Sequence, residues 1–433
     1  MKSTTIIIAF AAWLPACAGD SSASAPDALA HPTRPAACRS ISVATDLQAA
    51  VDAAAVGAVL CLDPGRHHGP VRITRPVTLW GPPDAVIASN GVGTTVDVAA
   101  DRVSLLGFSI DGSGGRFDML DAAVRVRGSD LRVEAVDISA ATFGILAERS
   151  RRVIIRGNRV RGDGSVTVGM RGDSIRLWET TDSVVEDNQV IDGRDVVVWY
   201  SSRNQVRGNR IRAARYGTHL MYSSDCVVED NRFENVVVGV FVMYSHRVAV
   251  ARNLMIGGSE MGVGIKDSGL VDVIGNAIVH ADMGMYLDGV PPAKEVNRIE
   301  ANAVRMCASG IVFHSSGNQI ELRGNELIDN RFPVRVEGRG DALGMTWEGN
   351  YFDDYDGYDL DGDGIGDVPH EMRSLSGDLI GRYPGLAYFR GAPSLELADT
   401  VTRMVPLLQP QTILVDPRPL ARPPGILEAM HAH

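Results

Sequence analysis

A short tag of the form x-Asn-x-hydrophobic returns along most of this chain, and nothing else in the sequence restricts the fold so strongly. It reads Gly157-Asn158-Arg159-Val160, Asp187-Asn188-Gln189-Val190, Gly208-Asn209-Arg210-Ile211 and Asp230-Asn231-Arg232-Phe233, then recurs at Asn253, Asn276, Asn302, Asn325 and Asn350. Successive asparagines lie 30, 21, 22, 22, 23, 26, 23 and 25 residues apart. Leu106 to Ile110 and Ala135 to Ile138 are degenerate earlier copies. Short alternating runs such as Ser183-Val184-Val185-Glu186 and Cys226-Val227-Val228-Glu229 separate the tags, which is a strand signal. A period near 22 with several short strands per unit and no helix is the signature of a right-handed parallel β-helix, an all-β solenoid of the pectin-lyase-like kind. A leucine-rich repeat shares the period but needs its regular leucines and a helix. The repeated Asn tolerates a left-handed turn, and its amide can bond the Asn of the next coil in a ladder.

An open solenoid exposes unpaired strand edges, so both ends need helical caps. Thr45-Asp46-Leu47-Gln48 reads as a capping box opening a helix with Leu47, Ala50, Val51 and Ala54 on one face. At the other end Leu397, Val401, Met404, Val405 and Leu408 follow helical spacing from a Ser394 N-cap. Pro410 to Pro424 then reads as extended chain laid on a surface. The expected organisation is a leader at 1–17, a flexible linker at 18–37, the β-helix with its N-terminal helix at 38–390, and a helix and Pro-rich tail at 391–433.

Met1-Lys2, the apolar run Ile6 to Trp13 and Leu14-Pro15-Ala16-Cys17 form an export signal ending in a lipobox, which makes Cys17 the candidate lipidation site. Ala18 after that cysteine favours the outer membrane of a Gram-negative cell. In such a compartment disulfides persist, and Cys38 and Cys61 flank the first folded segment, so they are the expected pair. Cys226 and Cys307 are about four repeats apart and read as small buried side chains. Beyond the leader, no apolar run approaches the roughly 20 residues that cross a bilayer. A net charge of −11 argues against a nucleic-acid partner.

Aligned by their asparagines, the repeats bring Trp178, Tyr200, Tyr222, Tyr244, Lys266 and Tyr286 to one position, preceded by Leu177, Trp199, Met221, Met243, Ile265 and Met285. Strand neighbours face opposite sides. The Leu/Met/Ile row is expected inside and the Tyr row outside, although a one-residue shift of register exchanges the faces. Met221, Met243, Met283 and Met285, with His219 and His314, form a candidate copper set, because thioethers and imidazole suit Cu(I). Methionine is also a common core filler. Asp359, Asp361, Asp363 and Asp367, with the Ile365 carbonyl, match the ligand spacing of an EF-hand-type loop within 353–370 and predict a structural Ca²⁺. Position 12 of that loop is His370, and no helices flank it. Asp173, Arg176, Glu179 and Asp195 could instead serve a carbohydrate-active or carbohydrate-binding β-helix of the polysaccharide lyase or epimerase kind.

The runs Asp173 to Trp178, His219 to Ser223, Phe241 to Ser245, Gly284 to Asp288 and Gly349 to Gly357 resemble the NosD family. Asp361 to Pro369 and the tail Leu414 to Ala421 extend the likeness, which covers about residues 40–424. The resemblance implies a non-enzymatic periplasmic β-helix that works with an ABC-type ATPase and permease. It further implies copper received from a copper chaperone lipoprotein and passed toward nitrous oxide reductase as that enzyme matures. A lipid anchor departs from the soluble form that the resemblance implies.

Overall fold

The computed structural model describes residues 31–289, 292, 294–314, 319–337, 341–373, 379, 383–389, 392–394, 397, 401 and 412–431. The leader with Cys17, most of the 18–37 linker and most of the expected C-terminal helix, including Met404, Val405 and Leu408, lie outside these residues.

Three long parallel sheets carry the repeats. Sheet I has 14 strands from Arg39–Ile41 to Thr346–Glu348, sheet II has 13 from Gly65–His68 to Tyr351–Phe352, and sheet III has 12 from Val71–Ile73 to Phe332–Val336. Each coil passes through sheet I, turns at the Asn tag into sheet II, and turns again into sheet III. This is the parallel β-helix that the repeat predicts. It starts at Arg39, well before the first recognisable tag, because the early coils keep the apolar alternation but not the asparagine.

Register explains the core. Val185, Val206, Val228, Val250 and Val273 pair in succession through sheet I, each no more than 1% exposed. In sheet III the row Leu177, Val198, Leu220, Val242, Ile265 and Leu287 does the same, and all six are buried. β-Branched and aliphatic side chains stacked at the strand spacing of about 4.8 Å fill the lumen.

The asparagines form a continuous ladder. From Asn158 to Asn325 each side-chain amide donates to the Oδ1 of the next Asn at 2.9–3.0 Å, and each backbone N–H reaches that same oxygen at 2.9–3.1 Å. All are buried. The left-handed turn conformation falls on the residue before each Asn, not on the Asn itself: φ is 62° at Gly157, 56° at Asp187, 55° at Asp230 and 52° at Arg252. That preceding residue makes the bend, which leaves the amide free to face along the stack.

At the N-terminal end, α1 (Leu47–Asp52) buries Leu47, Ala50 and Val51, with Ala54 following. Its N-cap is Asp46, whose carboxylate accepts from the Ala49 N–H at 3.0 Å, so the Thr45–Gln48 capping box does not form. Gln48 instead bonds Asp52 and the backbone of Arg72. A disulfide joins Cys38 to Cys61 beside this cap. At the other end Thr412–Asp416 pairs antiparallel with His370–Arg373. Leu414 and Asp416 are fully buried there, so this part of the tail closes the end of the solenoid instead of lying on its surface.

Candidate functional site

The outer face of sheet III places the chemistry. One outward row runs Trp178, Trp199, Met221, Met243, Lys266 and Asp288 in direct register. The side chains of Met221 and Met243 are half-buried on the surface, while their neighbours Leu220 and Val242 fill the lumen. Of the row expected inside, Leu177, Ile265 and Met285 are in the core, whereas Trp199, Met221 and Met243 face outward. The cause is local. Tyr200, Tyr222 and Tyr244 sit just past the strands at φ of 50°, 51° and 47°, so they belong to the turn and do not follow strand alternation. They are 48%, 47% and 39% exposed, and their rings stack with centroids 5.0 and 5.1 Å apart. Tyr286 stands in a different row, paired with Gly264 and Val312.

His219 lies two residues before Met221 and faces the same side, but only 6% of it is exposed. Its Nε2 is 3.3 Å from the Met243 sulfur, and its Nδ1 is 3.3 Å from the Trp199 indole nitrogen. Tyr216 and Phe241 pack on the ring, with centroids at 4.7 and 5.9 Å. Burial, assisted by the Arg215 charge, pushes the imidazole down to about 4, so it is neutral near pH 7. An indole N–H only donates. Nδ1 therefore accepts, and the single proton sits on Nε2, facing the sulfur. A neutral imidazole, the Met243 thioether and the adjoining Met221 thioether are donors that suit Cu(I).

The other members of the candidate copper set are dispersed. Met285 is 1% exposed within the core. Met283 is half-buried in register with Met261 and Ser309, and His314 pairs with Glu337 at 3.3 Å.

Asp173 and Asp195 are fully buried and committed to arginines. Asp173 accepts from Arg176 at 2.7 Å and Arg194 at 2.8 Å, and Asp195 accepts from Arg215 at 3.0 Å. Arg176 also lies over the Trp199 ring at 5.4 Å. Glu179 pairs with Arg149 at the surface. Carboxylates held this way are unsuited to shuttling protons for sugar chemistry without first breaking buried ion pairs.

In the acidic loop, ligand atoms of Asp359, Asp361 and Asp363 lie within 4.8 Å of one another. Asp359 accepts from the Gly362 and Gly364 N–H groups, and Asp363 from that of Ile365. Asp367 turns elsewhere and accepts from the Leu360 N–H at 2.7 Å. Ile365 bridges to Leu420, which ties the loop to the returning tail. Cys226 and Cys307 are free and 2% exposed, and burial pushes both thiols up to about 11.

Fold and surface together define a parallel β-helix that carries a buried imidazole beside half-buried thioethers. Residues 156–357 match the family model described as "Periplasmic copper-binding protein (NosD)", a span that contains His219, Met221 and Met243. A "Probable ABC transporter binding protein NosD" of Pseudomonas aeruginosa is 29% identical over 375 residues, covering 83% of this chain and 87% of that protein. Its namesake in Stutzerimonas stutzeri is 26% identical over 378 residues, covering 84% and 86%. By these comparisons the chain is similar to the NosD family, across residues 156–357 for the family model and across more than four fifths of its length for the two relatives. The catalytic unit of an α-1,3-glucanase from Streptomyces thermodiastaticus superposes with a TM-score of 0.57 at 16% identity, over 73% of this chain and 70% of that one. That likeness shows the fold alone. Among the described residues no helix is long and apolar enough to cross a membrane.

Proposed function

We propose that this protein carries copper as Cu(I) on the outer face of sheet III and delivers it, without chemical conversion, to a copper enzyme under assembly. The contact between His219 Nε2 and the Met243 sulfur carries the reading. It offers a neutral nitrogen and a soft sulfur on rigid strands, with Met221 one coil away. A rigid, incomplete donor set suits cargo, since an ion held by few ligands leaves readily when a partner supplies more. Met283, Met285 and His314 stand outside this centre in our reading.

The names of the relatives, ABC transporter binding proteins, support work beside an ABC transporter. We assign the partners as its ATPase and permease subunits, a copper chaperone lipoprotein as donor and nitrous oxide reductase as recipient. Lipidation at Cys17 would hold the protein at the outer membrane. A Ca²⁺ bound by Asp359, Asp361 and Asp363 would stiffen the C-terminal closure.

Anaerobic competition for Cu(I) against a chromogenic chelator tests the centre. His219→Gln and Met243→Leu should each weaken binding at least tenfold and impair maturation of the recipient enzyme. Wild-type affinity in both variants overturns the assignment.

A further inference from the structure

We propose that Trp199 is a latch on the metal centre: its indole N–H holds His219 in the Nε2–H tautomer, and loading Cu(I) at Nε2 requires that bond to be surrendered. The inference rests on the copper reading above and specifies how the site is regulated.

The geometry leaves little choice. The indole nitrogen, 3.3 Å from Nδ1, has a hydrogen to give and no lone pair to receive one. The His219 proton therefore lies on Nε2, 3.3 Å from the Met243 sulfur. Copper binds the lone pair of an unprotonated nitrogen. For Nε2 and the sulfur to share an ion, the imidazole proton must leave Nε2 and appear on Nδ1. The ring stays neutral and no proton is lost overall. Nδ1–H then confronts the indole N–H, donor against donor, and the indole must move or turn its hydrogen elsewhere.

The indole is placed for such a movement. Trp199 is half-buried on the outward row and meets Trp178 edge-on at 5.9 Å. The Arg176 guanidinium lies over its ring at 5.4 Å, and that arginine is anchored by Asp173. Its strand, Asp195–Trp199, pairs with Tyr216–Met221 through a register shift between Asp195 and Val197, the one irregular coil junction described in sheet III. Trp199 is thus a positioning residue, not a ligand. In the free protein it favours the tautomer that cannot bind. Each loading event spends part of its binding energy on release of the indole, which keeps the ion exchangeable.

The test uses the full soluble chain labelled with ¹⁵N-histidine, with the His219 signals assigned by their loss in His219→Gln. Free protein should show the Nε2–H tautomer. Stoichiometric Cu(I), which is diamagnetic, should move the proton to Nδ1 and shift the Trp199 indole N–H resonance. In chelator competition Trp199→Phe, which keeps an aromatic ring but no N–H, should bind Cu(I) about two- to tenfold more tightly, the value of one hydrogen bond. A free protein in the Nδ1–H form overturns the latch, as does an indole resonance unmoved by bound Cu(I), or weaker binding by Trp199→Phe. Failure of the wild type to take Cu(I) from the chelator overturns the copper reading instead, and the tautomer of the free protein remains readable in that event.

Discussion

Asn350 donates its backbone N–H and its side-chain amide to the same oxygen of Asp416, at 2.9 Å each, across 66 residues of sequence. The second Asp416 oxygen accepts from the Gly349 and Arg418 N–H groups. A carboxylate has acceptors and no donors. It can receive the last amide of the ladder and end it, where a further Asn would leave its own N–H groups without a partner. Asp416→Ala should cost about 2–4 kcal/mol, since it strands several buried donors. Asp416→Asn, which keeps one acceptor oxygen, should cost about half of that. Hydrogen exchange measured along the chain should show the loss concentrated in the coils around Asn325 and Asn350. Uniform loss over all coils would contradict a local cap, because solenoid repeats couple mainly to their neighbours.

The methionines separate into two classes by face. Met221→Leu/Met243→Leu should reduce Cu(I) affinity while leaving the melting curve nearly unchanged, because Leu conserves volume. Met283→Leu/Met285→Leu should bind Cu(I) as the wild type does. The reverse result would move the centre to the later coils.

The acidic loop predicts a calcium-dependent melting temperature. EDTA should lower it in the wild type and have no effect in Asp361→Asn/Asp363→Asn, as mutual repulsion among carboxylates this close is relieved by a bound cation. A wild-type curve indifferent to EDTA removes the Ca²⁺ assignment.

Thiol chemistry should be silent in the folded protein. Cys226 and Cys307 are buried and kept protonated, so Ellman's reagent should find no thiol in the soluble chain and two after unfolding without reductant. Cys38→Ser/Cys61→Ser should destabilise the N-terminal coils by about 3 kcal/mol, the chain-entropy value for closing a loop of this size.

Metabolic palmitate should label the wild type and not Cys17→Ser, and the labelled protein should fractionate with outer membranes. Equal labelling of the two, or a fully soluble wild type, would remove the anchor.

The repeat could be read directly because each Asn has a fixed mechanical task that no other residue performs as well. Its period alone leads to the parallel β-helix. The faces of sheet III were harder to read. Tyr200, Tyr222 and Tyr244 repeat as regularly as strand residues, yet they occupy left-handed turns, so alternation counted from them is wrong by one residue. The His219–Met243 contact was only partly legible. Spacing puts His219 and Met221 on one side and Met243 one coil further, but Met243 pairs by backbone with Met221 while its sulfur leans toward His219. Nothing local distinguishes Asp416 from any aspartate before a proline. Its place at the end of the ladder depends on a chain return that periodicity does not encode.

The ladder also makes this protein a ruler with discrete graduations. Five coils follow the strand of His219 in sheet III, from Val238–Met243 to Phe332–Val336, which sets the centre about 24 Å from the last of them at the strand spacing. A deletion of one entire repeat would rejoin amide to amide and shorten that distance by about 4.8 Å, leaving every other contact in kind. A deletion of half a repeat would have no such solution. Over evolutionary time, the reach between the His219–Met243 contact and whatever engages the closed end can therefore change by whole coils and by nothing smaller.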